Sequence, residues 1–251
     1  STPDKQKNTF FDLDNTTFTR NTAGGKGGAI RVSGFQSAVR VSNSKFYENI
    51  ATSGGAIAID SSASLQMSHS SAYNNRAQIA GGFLFALFAN SILLSDISIE
   101  GSSTDKEGGG GGLAVYSTKV AMERVTLKDC EAGASGGGGI LLDQGAEGHL
   151  FDSDLHNNSA KSSGGHIYVA SSSLVVHSKG IRLAWPGQEP VFPDSVMLKT
   201  SQPAQGPAFT IKSGADACEI VDGNCVQTVN YPSSYNNLKT CKILSGRNGT
   251  L

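Results

Sequence analysis

Short runs of alternating apolar and polar residues recur along most of the chain. One set of runs follows a pair of glycines, as at residues 29–32 and 56–59, and a second follows a Ser, Gly or Asn joint, as at 38–41 and 64–67. A third set, as at residues 44–46, leads to an asparagine. The length and the β-branched content of these runs predict strands, with three strands in each repeat.

Glycine pairs mark the repeat, and successive pairs begin 27, 27, 30, 26 and 27 residues apart. The pairs are Gly27 and Gly28, Gly54 and Gly55, Gly81 and Gly82, Gly111 and Gly112, Gly137 and Gly138, and Gly164 and Gly165. A fixed period of this length is typical of a solenoid, in which each unit buries its apolar face against its neighbours. Because glycine tolerates positive φ and a close backbone neighbour, we expect each pair at a turn that lies against the next coil.

An asparagine follows the third run of most repeats, three residues after an apolar position such as Phe18 or Phe46. Asparagine tolerates the left-handed conformation, and its amide can hydrogen-bond to the equivalent amide one coil away. We therefore expect a structural ladder of carboxamides at one corner, not a ligand site. Its members are Asn21, Asn49, Asn75 and Asn158. The fourth repeat has no asparagine near Ser102, and the fifth has Cys130 in that position.

Three short strands in a period of about 27 residues are what one coil of a parallel β-helix requires, with neighbouring coils about 4.8 Å apart. The sequence predicts an all-β fold, a single-stranded parallel β-helix of about six coils over residues 1–179. The period disappears beyond that point, and prolines punctuate residues 180–217. We expect this second region to be an irregular cap that connects the open end of the solenoid to residues 218–251.

The first two repeats resemble those of a known family. Phe18-x-x-Asn21 followed by Gly-Gly-Ala-Ile at residues 27–30, and Phe46-x-x-Asn49 followed by the same four residues at 54–57, resemble the FxxN and GGAI repeats of the chlamydial polymorphic outer-membrane proteins. Later copies diverge, and the resemblance covers about residues 8–177. It implies a right-handed β-helix passenger with an adhesive role.

The last segment, residues 218–251, resembles the opening of a CUB domain. It carries two cysteines, a Tyr-Pro turn, a second tyrosine and a third cysteine, although Val229 stands where that family has proline. These residues are Cys218, Cys225, Tyr231, Pro232, Tyr235 and Cys241. The resemblance implies the first part of a CUB sandwich. We expect a disulfide from Cys241 to either Cys218 or Cys225.

Composition and charge bear on location and partners. A net charge of −1 gives no electrostatic attraction to nucleic acid or to anionic lipid, so we expect neither partner. The most apolar stretch, residues 79–94, is interrupted by glycine and is too short to cross a bilayer as a helix, which predicts no transmembrane segment. The clustered cysteines favour an oxidising, extracellular or cell-surface location. Asn15, Asn157 and Asn248 fit the N-glycosylation sequon.

Parallel β-helices include enzymes that cleave polysaccharides, which need clustered carboxylates and a base or a metal. The candidate acidic pairs are Asp12 with Asp14 and Asp152 with Asp154, and they lie about five coils apart in sequence. His166 follows a glycine pair, but no second element of a polygalacturonase accompanies it, and the histidines lack metal-ligand spacing. We expect no catalytic residue, metal or cofactor.

Two functions of different classes remain open from the sequence. The favoured one is a non-enzymatic, extracellular solenoid segment of a larger multidomain protein, serving as a stalk, an adhesin or a filament or appendage component. Its partners would be other protein subunits, extracellular matrix or cell-surface glycans, and it would be capable of self-assembly. The alternative is a carbohydrate-binding or polysaccharide-degrading β-helix that uses one flank of the solenoid.

Overall fold

The computed structural model describes residues 10–177 continuously and, beyond them, the backbone of six short strands between residues 182 and 245. All the described regular elements are strands. A twelve-stranded sheet contains β1 (Phe10–Asp14), β2 (Thr17–Thr19), β4 (Ala38–Ser42), β5 (Lys45–Tyr47), β8 (Ser64–Tyr73), β11 (Ser91–Glu100), β14 (Lys119–Lys128), β17 (Glu147–Phe151), β18 (Asp154–His156), β21 (Ser173–His177), β22 (Arg182–Ala184) and β23 (Val196–Lys199).

Two smaller sheets complete each coil. A six-stranded sheet contains β3 (Ile30–Ser33), β7 (Ile57–Asp60), β10 (Leu84–Leu87), β13 (Leu113–Tyr116), β16 (Ile140–Asp143) and β20 (Ile167–Val169). A five-stranded sheet contains β6 (Ile50–Ser53), β9 (Arg76–Ala80), β12 (Ser103–Thr104), β15 (Glu131–Ala132) and β19 (Ser159–Ala160). Each strand in these three sheets pairs in parallel with its equivalent in the next coil, as Ile57 does with Leu84. The predicted parallel β-helix of about six coils is confirmed.

The division of a coil into strands differs from the prediction. The second and third runs belong to one sheet, and in the middle coils they merge into ten-residue strands such as β8 and β11. These strands bend where a residue takes positive φ, for example His69 and Asp96. A further short strand lies between the asparagine and the next glycine pair, where the sequence pattern predicted no strand. Its residues are few and mostly small or polar, so it gives no alternating signal.

Two antiparallel pairs lie beyond the solenoid: β24 (Phe209–Ser213) with β27 (Lys242–Ser245), and β25 (Cys218–Val221) with β26 (Cys225–Thr228). The region expected to be irregular also contributes β22 and β23, which continue the twelve-stranded sheet in parallel past residue 179. The rest of the predicted cap and of the CUB-like segment lies outside the described residues.

The core consists of columns of inward-facing side chains that stack from coil to coil. Ile57, Leu84, Leu113 and Ile140 are fully buried and occupy the same register position in successive coils. The ring of Phe46, also fully buried, stacks on Phe18 with centroids 4.9 Å apart. No single coil encloses a core, so the burial that stabilises each coil comes from its neighbours.

The two glycines of each pair serve different purposes, as Gly54 and Gly55 illustrate. Gly54 has φ 64°, and an added Cβ would lie 2.9 Å from the Ile57 carbonyl carbon within its own turn. Gly55 has no positive φ, but an added Cβ would lie 2.6 Å from the Arg76 carbonyl oxygen and closer still to the Gly82 carbonyl oxygen of the next coil. The first glycine therefore permits the turn, and the second permits the coils to stack.

In the fourth coil the structure shifts the predicted glycine pair by one residue. Gly110 has φ 65°, and its amide donates to the Gly136 carbonyl as that of Gly81 donates to Gly109. The equivalent pair is therefore Gly110 and Gly111, not Gly111 and Gly112. The run of five glycines at residues 108–112 hides this register in the sequence.

The asparagines form a hydrogen-bonded ladder between coils. Asn49 Oδ1 accepts from the backbone amide of Asn21 (3.0 Å) and from its Nδ2 (2.8 Å). Asn49 Nδ2 donates to Asn75 Oδ1 (2.9 Å) and to the Phe18 carbonyl (3.1 Å). The asparagine was expected to take the left-handed conformation, but the residue before it does so: Glu48 has φ 54°. One residue therefore makes the turn, and the side chain of the next forms hydrogen bonds with the backbone there.

The ladder is interrupted in the fourth and fifth coils. Ser102 is fully buried, and its Oγ has no hydrogen-bond partner. Cys130 takes the next position, and its backbone amide donates to Asn158 Oδ1 (2.9 Å), so that the carboxamide interaction resumes in the sixth coil. Asn158 Nδ2 donates to the Leu127 carbonyl (2.9 Å), as Asn49 does to Phe18.

Replacing Ser102 with asparagine should stabilise the protein by about 1–2 kcal/mol, since its amide would continue the ladder from Asn75 and replace an unpartnered buried hydroxyl. Chemical denaturation of Ser102→Asn against the wild type measures the change. Ser102→Ala is the control, because it removes the hydroxyl without supplying an amide, and we expect it to be near neutral. Equal unfolding free energies for the two variants would contradict the ladder explanation.

Candidate functional site

Each coil passes from the six-stranded to the twelve-stranded sheet through a turn of two to four residues. The turns comprise residues 34–37, 61–63, 88–90, 117–118, 144–146 and 170–172. They stack on one another along the solenoid and form what we call the turn edge. Backbone hydrogen bonds connect neighbouring turns, such as Ser64 N to Ser37 O (2.9 Å) and Asn90 N to Ala63 O (2.8 Å). The turn edge is therefore a rigid part of the molecule.

A left-handed residue begins the turn in the second, third, fourth and fifth coils. The residues are Ser61, Phe88, Ser117 and Gln144, with φ of 57°, 50°, 46° and 56°. Three of them are small or polar and suit a solvated turn. Phe88 does not suit it, because a bulky side chain is rarely found at positive φ and this residue is 60% exposed.

An open groove of about 600 Å³ runs along the turn edge and spans five coils. Its lining is mainly polar, with Ser62, Ser64, Asn90 and Ser117 among its residues. Phe35, which is 80% exposed, lines one end, and Lys119 and Glu147 line the other. This concave, rigid surface is the best candidate for a binding site in the described part of the chain.

The repeat pattern of the sequence predicts no role for Phe35 or Phe88. A signal was present, however, because both aromatic residues fall in joints where other repeats have Ser, Gly or Gln. An aromatic residue in a turn that has no core to fill is a departure from local preference, and it could have been found by aligning the joints of successive repeats.

The two acidic pairs considered as candidates for catalysis are far apart, and most of their carboxylates are engaged. Asp12 pairs with Arg40 (3.0 Å). Asp14 accepts from the Ser42 hydroxyl (2.6 Å) and from Asn43 Nδ2 (2.8 Å), and these hydrogen bonds lower the pKa of its carboxyl. Asp154 lies on β18, about five coils and roughly 24 Å from β1 by strand spacing. The structure does not bring the two pairs together.

The histidines are also dispersed. His166 is buried, and its Nδ1 lies 3.2 Å from Asn158 Nδ2 at the end of the asparagine ladder, which is a structural position. His69 lies at an exposed bend, 3.7 Å from Asp96, which also pairs with Arg124. In the part of the chain that the structure describes, no group of three or more His, Cys, Asp or Glu could hold a metal ion.

Asp60 is the one buried carboxylate in the described residues, with 3% of its surface exposed. Lys26 Nζ and Arg31 Nη2 lie 3.1 and 3.2 Å from its Oδ2. Burial raises the pKa of the Asp60 carboxyl, but a hydrogen bond from Ser33 and the two cations outweigh it and leave the pKa below its ordinary value. Lys26 Nζ also lies 5.2 Å from the centroid of the Phe85 ring. These contacts hold the segment before the first glycine pair, which contains Lys26, against the outer face of the six-stranded sheet.

Asp60→Asn should destabilise the protein by about 2 kcal/mol at pH 7, because Lys26 and Arg31 lose their shared counterion. A lowered pKa means that the ionised Asp60 stabilises the fold above about pH 4 and that this contribution is lost as the pH falls through the folded-state pKa. The gap between the unfolding temperatures of wild type and variant should therefore narrow below about pH 4. Asp12→Asn, which alters an exposed ion pair, is the matched control. A gap that persists unchanged into strong acid would contradict this role.

The structure describes the remaining predicted sites to different extents. Asn15 and Asn157 are exposed and lie at left-handed bends, with φ 48° and 53°. Asn248 and Cys241 lie outside the described residues. Cys218 and Cys225 begin the paired strands β25 and β26, of which only the backbone is described.

Cys130 is a free and fully buried thiol. Burial raises the pKa of this thiol to about 12, so it is protonated at neutral pH and unreactive. Among the described residues no helix is long and apolar enough to cross a bilayer.

The stacked coils, the ladders at their corners and the turn edge define a solenoid repeat protein. A family model described as a right handed beta helix region matches residues 6–179. Since this is well over half of the 251 residues, the chain belongs to the right-handed β-helix family, and the predicted fold class is confirmed. No curated protein and no solved structure gives a significant match.

Proposed function

We propose that this chain is a structural or adhesive solenoid segment of a larger extracellular protein and that it is not an enzyme. The observation that carries the proposal is the uninterrupted parallel pairing of six coils around one continuous core. Such a stack resists bending, because any bend must separate hydrogen-bonded coils along one side. Six coils extend the molecule by roughly 29 Å, which suits a stalk, an adhesin or an appendage component.

The structural duties of the repeat residues support a closer assignment to FxxN and GGAI repeats of the polymorphic outer-membrane protein type. Phe18 and Phe46 stack in the core, Asn21 and Asn49 form the ladder, and the glycine pair allows the coils to meet. The CUB-like assignment of residues 218–251 rests on their sequence motif alone.

Several features favour an extracellular or cell-surface location. Two of the three sequons, at Asn15 and Asn157, are exposed and accessible to glycan transfer. Three cysteines cluster in the last 34 residues. The partners that we propose are other protein subunits, extracellular matrix or cell-surface glycans, with self-assembly as a further mode. Separation of the acidic pairs by about five coils argues against the alternative of a polysaccharide-degrading enzyme.

The rigidity, the location and the absence of catalysis can be tested separately. Small-angle scattering of the purified chain should give a radius of gyration that does not change with salt, as expected of a rigid stack of coils. Antibody labelling of intact, unpermeabilised cells that produce the parent protein should detect it at the surface, and endoglycosidase should reduce its mass. Release of reducing or unsaturated ends from a panel of polysaccharides would overturn the non-enzymatic assignment, and a purely intracellular signal would overturn the location.

A further inference from the structure

We propose that the groove on the turn edge binds a neutral glycan, with Phe35 and Phe88 as stacking platforms at the turns of the first and third coils. This inference rests on the proposed adhesive function and specifies the chemistry of its partner. It gives the solenoid a defined adhesive surface instead of a uniform flank.

Phe88 is the first observation. Phe88 is 60% exposed and has φ 50°, whereas the equivalent residues are Ser61, Ser117 and Gln144. It directly precedes Ala89 and Asn90, which line the groove. A serine or an asparagine would suit this turn better, since a bulky residue at positive φ is strained and an exposed ring gains no burial. A departure from local preference that the fold does not use is typical of a functional position.

Phe35 is the second observation. It lies in the longest turn of the edge, residues 34–37, and it is 80% exposed where it lines the groove. The turns that carry Phe35 and Phe88 are two coils apart, which corresponds to about 10 Å along the solenoid. Because the intervening turn is hydrogen-bonded to both neighbours, the backbone holds the two positions at a fixed spacing.

The polar lining is the third observation. Asn90 Nδ2 donates to Ser64 Oγ (3.1 Å), which orients the Asn90 amide at the groove wall. Ser62 and Ser117 line the same groove, and the Ser117 hydroxyl donates to the Gln144 carbonyl (2.6 Å). At its far end Lys119 Nζ pairs with Glu147 Oε2 (3.0 Å), so each charge there already has a partner.

Ring faces, amides and hydroxyls without net charge match a neutral sugar chain. The C–H faces of pyranose rings stack on aromatic rings, and their hydroxyl groups exchange hydrogen bonds with amides and serines. An extended peptide fits less well, because strand addition requires an unpaired sheet edge. The strands beside the groove, β4, β8, β11 and β14, are each paired on both sides.

Isothermal titration or ligand-observed NMR tests the groove with defined probes at millimolar concentration. The neutral probes are hexasaccharides of glucose, xylose, mannose and N-acetylglucosamine, and the other probes are oligogalacturonate and a proline-rich peptide. We expect at least one neutral hexasaccharide to bind and Phe35→Ala and Phe88→Ala each to weaken it about tenfold. Ile79→Ala is the control, since Ile79 is 59% exposed on β9 of the five-stranded sheet, which does not border the turn edge, and should have no effect on binding.

Phe88→Asn keeps the proposal falsifiable if an alanine variant folds poorly. We expect it to raise the unfolding temperature, because asparagine suits positive φ, while it weakens sugar binding. Failure of every neutral probe to bind, binding that Phe35→Ala and Phe88→Ala leave unchanged, or binding of only oligogalacturonate or the peptide would overturn the proposal. None of these results alters the scattering and cell-labelling tests of the stalk, so the two proposals fail independently.

Discussion

Replacement of Asn49 with alanine is expected to destabilise the protein by about 4 kcal/mol, one of the two largest effects that we predict for a single side chain. The Asn49 amide makes four hydrogen bonds and is fully buried. Its loss leaves the Asn21 amide, the Phe18 carbonyl and Asn75 Oδ1 without those partners. Each buried polar group left unsatisfied costs about 1–3 kcal/mol, and alanine also leaves a cavity.

Chemical denaturation followed by circular dichroism measures this change, and hydrogen exchange locates it. We expect amide protection to fall first in coils one to three, because stability in stacked repeats is determined by interactions between neighbours. Asn21→Ala is the control, since Asn21 is only partly buried at the end of the ladder and should have a smaller effect. Asn49→Asp should be at least as damaging as alanine, since it places an acceptor against the Phe18 carbonyl. If alanine at positions 21 and 49 had the same effect, the ladder would not be what stabilises this corner.

Gly55→Ala should destabilise the protein by roughly 3–5 kcal/mol, although it adds a single methyl group. That methyl group would meet backbone atoms on the next coil, including the Arg76 carbonyl oxygen at 2.6 Å. The Gly82 and Arg76 carbonyls that it would meet belong to the backbone and cannot rotate away as the end of a side chain can. The second and third coils must therefore separate to accommodate the methyl group. Thermal unfolding and the yield of folded protein measure the effect.

Gly25→Ala provides the matched comparison in the linker between coils. An added Cβ there would meet no atom within 4 Å, and the residue has no positive φ. We expect the free energy of unfolding to change by less than about 0.5 kcal/mol, or to rise slightly because the unfolded chain loses entropy. A similar loss in both variants would indicate that glycine is needed for backbone freedom in general and not for the approach of coils.

Much of the fold could be predicted from the sequence because its determinants are periodic. Glycine pairs near residues 27 and 54, with asparagines at 21 and 49, identify the corners directly, and their regular spacing predicts the stacking. The short strand after each asparagine could not be predicted, since its few residues take their conformation from pairing with the neighbouring coils. The register of the fourth coil was missed because several adjacent glycines are equivalent in sequence.

The candidate site was less accessible to sequence reasoning than the fold. Phe35 and Phe88 interrupt the repeat pattern and do not contribute to it, so recurring residue types do not identify them. The candidate acidic pairs have the residue types of an acid/base site. They cannot act together, however, because they lie about five coils apart. In a solenoid, distance along the sequence converts into distance along the axis, so only residues from neighbouring coils can act on the same reacting bond.

The gap in the carboxamide ladder at Ser102 and Cys130 has a mechanical consequence. Hydrogen bonds between coils lie along the direction in which a tether would be loaded, so tension is borne by every interface in series. The interface that lacks the side-chain hydrogen bonds of the asparagine ladder yields first, and it lies near the middle of the stack. Under tension the coils would therefore separate first at this internal interface, and a shorter intact stack of coils would remain on either side.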